Sequence, residues 1–453
     1  MDSTANNMTF EDRLKQLQDA LEANNIEAAL AVLAEIQVPD QAELVDELDP
    51  EAQVLLLPEL QPADSADILE EMDETRAAEL VASLPHAAAV RILDEMEPDE
   101  AADLLGDLEP DQARTFLARL EDAAEIRPLL LHPDDSAGGL MTSEYLALRR
   151  RTTAADALAA VRDWQPKTNR LSDLFVIDRD GLLCGVVSLL QLVMAKPADL
   201  VMDLMDPEPT WAAVGSDQET VARLFTRYDL LALPVVNDAH KLVGVITIDD
   251  VIDVLEDEAT EDIQRLGGAE PLERPYLDTP VFSIARKRVG WLLLLFLTES
   301  LTGSVLRLFE GELQAVVALS FFIPLLIGTG GNAGSQTTST IIRALAVGDI
   351  RLRDAVASFW HELRIGLLLA VIMAGIAYGR ALLWGTTPAL AMAVAISILT
   401  IILWANSLGA LLPLGAAALK LDPTVVSGPA MSTLVDATGL FIYFTVARII
   451  IGL

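Results

Sequence analysis

Eight carboxylates and no basic residue lie in the run Asp249-Asp250-Val-Ile-Asp253-Val-Leu-Glu256-Asp257-Glu258-Ala-Thr-Glu261-Asp262. Wound as a helix, Asp250, Asp253, Asp257 and Glu261 share one face through three- and four-residue steps, with Glu258 and Asp262 alongside. Like charges at that spacing destabilise an isolated helix. Either the helix is an ordinary solvated one, or something positive screens it. Cys184 is the only cysteine and the four histidines (His86, His132, His240, His361) are scattered. No zinc pattern exists, and oxygen ligands favour hard ions such as magnesium or calcium. A second kind of acid stands alone in an apolar stretch: Asp436. A carboxylate near mid-membrane costs about 2.5–3.5 kcal/mol on insertion scales and is functional by default. The plain alternative is a structural Asp bonded to a Ser or Thr of a neighbouring helix. Glu299 and Asn406 are weaker intrusions of the same type, and Glu299 reads equally well as a helix-packing contact.

The elements that hold these residues differ sharply in composition. The chain has 453 residues and a net charge of -37, yet 52% of it is hydrophobic. Residues 1–280 carry 60 acids and 20 bases, a net of -40; residues 281–453 carry 8 acids and 11 bases, a net of +3. An acidic water-facing part is joined to an apolar part, and the acidic part would repel nucleic-acid phosphates and attract cations. The apolar part holds five stretches, roughly Val289–Leu308, Leu313–Leu345, Phe359–Trp384, Pro388–Leu419 and Val425–Leu453. Each meets the ~20 residues needed to cross a lipid bilayer. Arg286, Lys287, Arg288, Arg343, Arg351, Arg353, Arg364 and Lys420 fall on one side, against Arg307, Arg380 and Arg448 on the other. That bias places the acidic part in the cytoplasm. The N-terminus lacks the basic and apolar regions of a signal peptide.

The second stretch carries Pro324 and then Gly328-Thr-Gly-Gly331-Asn332-Ala-Gly334-Ser-Gln-Thr-Thr338. These residues are expected to interrupt or loosen the helix, which is tolerated where backbone faces protein or water. The fifth carries Ser427-Gly428-Pro429 ahead of Asp436. Five helices are few to enclose a pore. A two-fold dimer would bring two Asp436 carboxylates together, an arrangement suited to a divalent cation.

In the acidic part, Pro50, Pro62, Pro85, Pro98 and Pro110 recur at intervals of 12, 23, 13 and 12, with Asp73-Glu74 at the missing step. Proline fits the first turn of a helix, and Ala and Leu between the prolines supply a core stripe. Residues 1–131 therefore read as a small helical solenoid. Beyond Asp134 two similar blocks follow. The first has a helix at 154–161 and apolar strands at 174–178 and 185–188; the second has a helix at 220–225 and strands at 233–237 and 244–248. The pair resembles two CBS motifs, with Gly244…Thr247…Asp250 as the specific part of the match.

The whole chain resembles the MgtE family of magnesium channels and transporters. The match rests on Asp135-Ser-Ala-Gly138 with Met141-Thr142, on Asp249-Asp250-Val-Ile-Asp253, and on Glu258-Ala-Thr-Glu261-Asp262-Ile. Gly331-Asn332-Ala-Gly334-Ser-Gln336 and Asp422-Pro423 with Ser427-Gly428-Pro429 and Asp436 complete it. The resemblance implies a multidomain fold: an all-α helical-repeat (solenoid) N-domain at 1–133, an α/β CBS-pair domain at 134–255 (about 134–200 and 201–255), an acidic connecting helix at 256–283, and a five-helix transmembrane domain at 284–453. It implies a homodimeric Mg2+ channel, not an enzyme, spanning the plasma (bacterial inner) membrane with its N-terminal domains cytoplasmic. Asp436 would hold a largely hydrated ion, helped by Asn332, Gly328 and Gly331. Regulatory Mg2+ would bind among Asp94, Asp99, Asp217, Glu219, Asp229, Asp250, Asp253, Glu258, Glu261, Asp262 and Asp422, and hold the pore shut. Some family members also bind ATP in the CBS pair. Here Ser188-Leu189-Leu190-Gln191 is neutral where charge is expected, and Leu230 stands where an aromatic would stack, which leaves ATP doubtful. Two other readings fit the same residues: a broader carrier of Co2+ or Mn2+, and a membrane-tethered magnesium sensor that does not conduct.

Overall fold

A computed structural model of the chain describes residues 8–164, 173–272, 274–277, 279–426 and 428–452. It divides into two compact units, Met1–Glu256 and Asp257–Leu453.

The first unit begins with a solenoid of short helices. Pro50, Pro62, Pro98 and Pro110 each open a helix in its first turn, where proline's missing N–H has no partner to lose. Pro85 stands one position earlier, as the cap of His86–Leu93. At the step without proline, the Asp73 side chain caps Glu74–Ser83 by accepting from the Arg76 N–H at 3.1 Å. The Ala and Leu stripes bury a continuous core through Leu56, Ile68, Val81, Leu93 and Leu105. Each side chain of that size contributes about 1.5–3 kcal/mol when fully buried.

Two small three-stranded sheets follow: β1 (Ala147–Arg149), β2 (Asp173–Ile177) and β3 (Leu183–Ser188), then β4 (Ala212–Ala213), β5 (Ala232–Val236) and β6 (Leu242–Thr247). In each sheet the first strand pairs parallel and the third antiparallel to the middle one. The duplicated blocks are therefore two copies of one supersecondary unit, forming the α/β pair expected from the sequence. The short β1 and β4 carry little of the alternating pattern that marks longer strands, so the sequence gives no sign of them. Phe175, Leu183, Val236, Leu242 and Val245 join the two copies. The second copy also shares its core with the solenoid, through Ala137, Met141, Val221, Phe225 and Val251 among others.

The Ile248–Leu266 helix leaves β6 and runs without a break through the acidic run. It ends at Gly267-Gly268, where Gly268 adopts φ +74°. The connecting helix expected over 256–283 therefore stops at Leu266, because Gly267-Gly268 breaks it: no described residue from 267 to 280 is helical, and span one starts at Val281.

In the second unit five helices are long and apolar enough to cross a membrane: Val281–Leu308, Val317–Ala346, Leu352–Leu383, Pro388–Ala418 and Gly428–Ile451, called spans one to five. The expected interruption of span two by its glycines does not occur. Pro324 lies in the first turn of an α-helix that runs from Ile323 to Ala346, and the only change of winding is the 3₁₀ segment Val317–Phe322 before it. The glycines serve close packing. A Cβ on Gly330 would meet Ile401 Cγ2 at 2.5 Å and Val435 Cγ1 at 2.8 Å; one on Gly334 would meet Met431 Cε at 2.7 Å. Small residues let backbones approach where lipid offers no hydrophobic drive for association. Because both neighbours of Gly330 are branched core side chains, Gly330→Ala is expected to destabilise the protein by about 1–3 kcal/mol. Thermal unfolding of the purified protein checks this, and an unchanged midpoint would refute the tight seam. The Tyr443 hydroxyl donates to the Leu319 carbonyl at 3.0 Å and pins span five to the 3₁₀ segment.

Candidate cation sites

The packing of spans two and five sets the first site. The Ser335 hydroxyl donates to the Gly428 carbonyl at 3.1 Å, and Gly331 lies against Ser432. The helices run antiparallel, so each turn up one is a turn down the other in sequence. One turn beyond the Gly331–Ser432 contact, Asp436 comes level with Ile327 and Gly328. Asp436 is half-buried; its Oδ1 is buried and has no hydrogen-bond partner among the described residues. Gly328 is exposed, and a Cβ there would meet nothing, so space is left on that surface. The other face of span two repeats at helical steps: Gly328, Asn332 and Gln336 are exposed, with Ser339 and Thr340 beyond them. Gly331 differs. It is buried in the seam and acts as a spacer. Ser427 lies outside the described residues.

Spans two, three and four enclose a polar cluster of which the sequence singled out only Asn406. Glu362 of span three is only 8% exposed, and its Oε2 accepts from the Thr337 hydroxyl at 3.4 Å. One turn on, a Cβ at Gly366 would press against the Asn406 side chain at 2.9–3.1 Å. Asn406 is 1% exposed and its Oδ1 has no partner among the described residues. The available signal was the same as for Asp436, a single acid in a long apolar stretch.

The second site lies within the first unit, where the Pro98–Asp107 helix of the solenoid meets the start of the Ile248–Leu266 helix. Asp250 accepts from the Thr247 N–H at 3.1 Å and from its hydroxyl at 2.9 Å. Its charge acts on Asp99, Glu100 and Asp103. Asp99 is 6% exposed, and its Oδ1 is buried without a hydrogen-bond partner among the described residues. Burial first, then Asp250, pushes Asp99 well above the usual carboxylate range. Burial, then Asp99 and Asp250, does the same to Glu100. Asp103 is pushed up to about 8 by burial, then by Glu74 and Asp134. Desolvation dominates because a charge removed from water loses more than one neighbour takes away. Glu100 and Asp103 were not legible as special, since acids crowd the whole solenoid. Among the described residues no three His, Cys, Asp or Glu side chains converge as a ready-made metal cage.

The remaining sequence candidates are spread out. Asp94 ends the His86–Leu93 helix and accepts from the Glu121 N–H at 2.7 Å. Asp217 and Asp229 cap the two ends of Gln218–Tyr228, Asp229 with φ 51°; Glu219 pairs with Arg223 at 3.8 Å. Asp253 is exposed on the long helix, and Glu258 and Asp262 are half-buried. Glu261 and Asp422 are brought together by a protein cation. Arg265 pairs with Glu261 on its own helix and, at 2.6 Å, with Asp422 in the connection between spans four and five. Asp422 also accepts from the Thr424 N–H at 2.8 Å.

Known proteins match this arrangement part by part. A family model for the MgtE intracellular N domain matches residues 36–135, CBS domain models match 137–197 and 201–257, and the MgtE divalent cation transporter model matches 323–446. The magnesium transporter MgtE of Thermus thermophilus is 42% identical over 328 residues, 72% of this chain and 73% of that one. That of Bacillus subtilis is 33% identical over 72% of each. A crystal structure of the cytosolic domain of the Mg2+ channel MgtE in complex with ATP superposes with a TM-score of 0.51 at 35% identity, covering 53% of this chain and 99% of that one. The chain therefore belongs to the MgtE family of divalent cation transporters, a multi-pass membrane protein with a cytosolic N-terminal part.

Proposed function

We propose that the chain forms a homodimeric, Mg2+-selective channel of the plasma membrane that closes when cytosolic Mg2+ binds its acidic surfaces. One observation carries this reading: Asp436, whose buried Oδ1 has no hydrogen-bond partner among the described residues, stands level with Gly328 beside the exposed polar face of span two that holds Asn332 and Gln336. Lipid cannot cover such groups without a cost of several kcal/mol each. A second copy across a two-fold axis covers them and sets two Asp436 carboxylates opposite each other. Mg2+ releases water reluctantly and keeps several waters when bound. Carboxylate and amide oxygens then hold its hydration shell, and Gly328 leaves room for that bulk. Magnesium as the cargo is supported by the relatives named for it.

The acids of the first unit fit a regulatory divalent ion. Their donors are all oxygen, Asp99 Oδ1 is buried without a partner among the described residues, and the surrounding charge is of one sign. Mg2+ binds proteins through one or two carboxylates and its own waters, so a closed cage is not required. Asp99, Glu100, Asp103 and Asp250 would hold it on this side; Glu258, Glu261, Asp262 and Asp422 are the candidates nearer the membrane. An ion bound better by the docked arrangement shifts the population toward it. In this reading 1–133 and 134–255 sense, 256–283 transmits and 284–453 conducts. ATP is left doubtful in it, because Ser188-Leu189-Leu190-Gln191 offers a nucleotide no charge.

The test is uptake into liposomes carrying the reconstituted protein, followed with a Mg2+ indicator. Uptake should exceed that of empty liposomes and fall when millimolar Mg2+ is present on the side bearing residues 1–280. Background uptake would favour a non-conducting sensor. Equal uptake of Co2+ or Mn2+ in competition would favour the broader carrier.

A further inference from the structure

Span one is nearly bare on the protomer. Leu292, Leu293, Phe296, Leu297 and Leu301 are all exposed, as suits a helix in lipid. Glu299 breaks the pattern. It is exposed too, two-thirds of the way along an apolar helix, and makes no ion pair among the described residues. An ionised carboxylate facing hydrocarbon at this depth costs about 2.5–3.5 kcal/mol on insertion scales.

The packing of span one on span five shows where Glu299 sits. Both helices leave the cytoplasmic side, so they run parallel and keep a fixed offset in sequence. At the far end Phe309, the residue that closes span one, stacks on Phe444 with ring centroids 5.0 Å apart. That contact gives an offset of 135 residues (444 against 309). Nearer the cytoplasm a cavity of about 330 Å3 lies between the two helices, lined by Leu295 and Thr298 on one side and by Met431 and Leu434 on the other. The two facing runs of its lining, 294, 295, 298 and 301 and then 430, 431, 434 and 437, repeat the same spacing at an offset of 136. The same offset sets Glu299 beside Val435 and level with Asp436. The charge that acts on Asp436 is that of Glu299.

We infer that Glu299 is a second carboxylate of the cation path, set at the height of Asp436 and determining how strongly the path draws a divalent ion. Two protomers then present four carboxylates at one level, two from first spans and two from last spans. Asp436 meets the hydrated ion across the seam with span two. Glu299 adds negative potential from the open side and faces water or the second copy, not lipid. The inference rests on the reading of Asp436 as an ion-path residue.

The test measures Mg2+ uptake against Mg2+ concentration in liposomes for the full chain, Glu299→Gln, Glu299→Leu and Asp436→Asn. Loss of one charge per protomer at short range is expected to raise the half-saturating concentration about tenfold in Glu299→Gln, with maximal uptake within about twofold. Raised ionic strength should narrow that gap, because salt screens the contribution of Glu299. Glu299→Leu inserts in a bilayer more readily than glutamate, so it serves where the glutamine variant does not assemble, and it should show the same rise. Unchanged half-saturation in either assembled variant, with Asp436→Asn inactive, overturns the role of Glu299 and leaves the path through Asp436 standing. Normal uptake by Asp436→Asn would sink the path itself.

Discussion

Asp436→Asn is expected to reduce Mg2+ uptake by about a hundredfold or more while leaving the fold intact, because it removes the charge that the proposed path holds in low dielectric. Asparagine keeps the size and one of the oxygens. It is also cheaper to hold in the membrane than aspartate, so loss of uptake cannot be put down to failed insertion. The Oδ1 atom has no partner to lose among the described residues, which separates this Asp from a structural one. If Asp436 only bonded a neighbouring helix, the variant would lower the unfolding temperature and conduct normally. Uptake per reconstituted protein, measured beside thermal unfolding, distinguishes the two outcomes.

The second large effect is expected at the buried acids. In the intact protein, Mg2+ at about a hundred times its dissociation constant should stabilise the cytosolic unit by about 2.7 kcal/mol. For a unit of this size that is a rise of about 5–10 °C in its melting temperature. The triple variant Asp99→Asn, Glu100→Gln, Asp103→Asn should melt higher than the parent in chelator and gain less than about 2 °C from Mg2+. Calorimetry of the detergent-solubilised protein reads both quantities. An undiminished response to Mg2+ would place the regulatory ion elsewhere, with Glu258, Glu261 and Asp262 next in line.

Proton linkage supplies an internal control. Asp103 is raised from an ordinary 3.8 to about 8 in the fold, so the folded state holds its proton more tightly than the unfolded chain. The stability tied to that proton is fully present below the unfolded value and is lost as pH rises through about 8. In chelator the cytosolic unit should therefore melt progressively lower from pH 5 to pH 8.5. Saturating Mg2+ should flatten the slope, since the ion offsets the charge that the proton otherwise removes.

The sequence alone determined much of this protein. Prolines at the first turns, Ala and Leu stripes, two strand pairs of one pattern and five apolar stretches each specify local structure through propensity and burial. Those signals sit in neighbouring residues, and the helices and longer strands they specify are present. The charge split between 1–280 and 281–453 likewise separated the water-facing part from the membrane part, and the Lys/Arg bias at the span ends assigned the cytoplasmic side, without any contact being known. Asp436 was legible because a lone carboxylate in an apolar run is costly wherever its helix packs.

Only the tertiary structure decided which acids share a neighbourhood. Asp99, Glu100 and Asp103 match their solenoid neighbours in type, and only burial against Asp250 sets them apart. Asp94, Asp217 and Asp229, equally acidic on paper, are occupied with helix ends and loops. Span two stayed helical despite its glycines because spans four and five fill the space that side chains would take. Glu299 reached the level of Asp436 through a parallel helix register that 136 residues of intervening chain conceal. The physical reason is common to all of these. Hydropathy and propensity act over a few residues, whereas desolvation and Coulomb coupling depend on distances that only the packed chain defines.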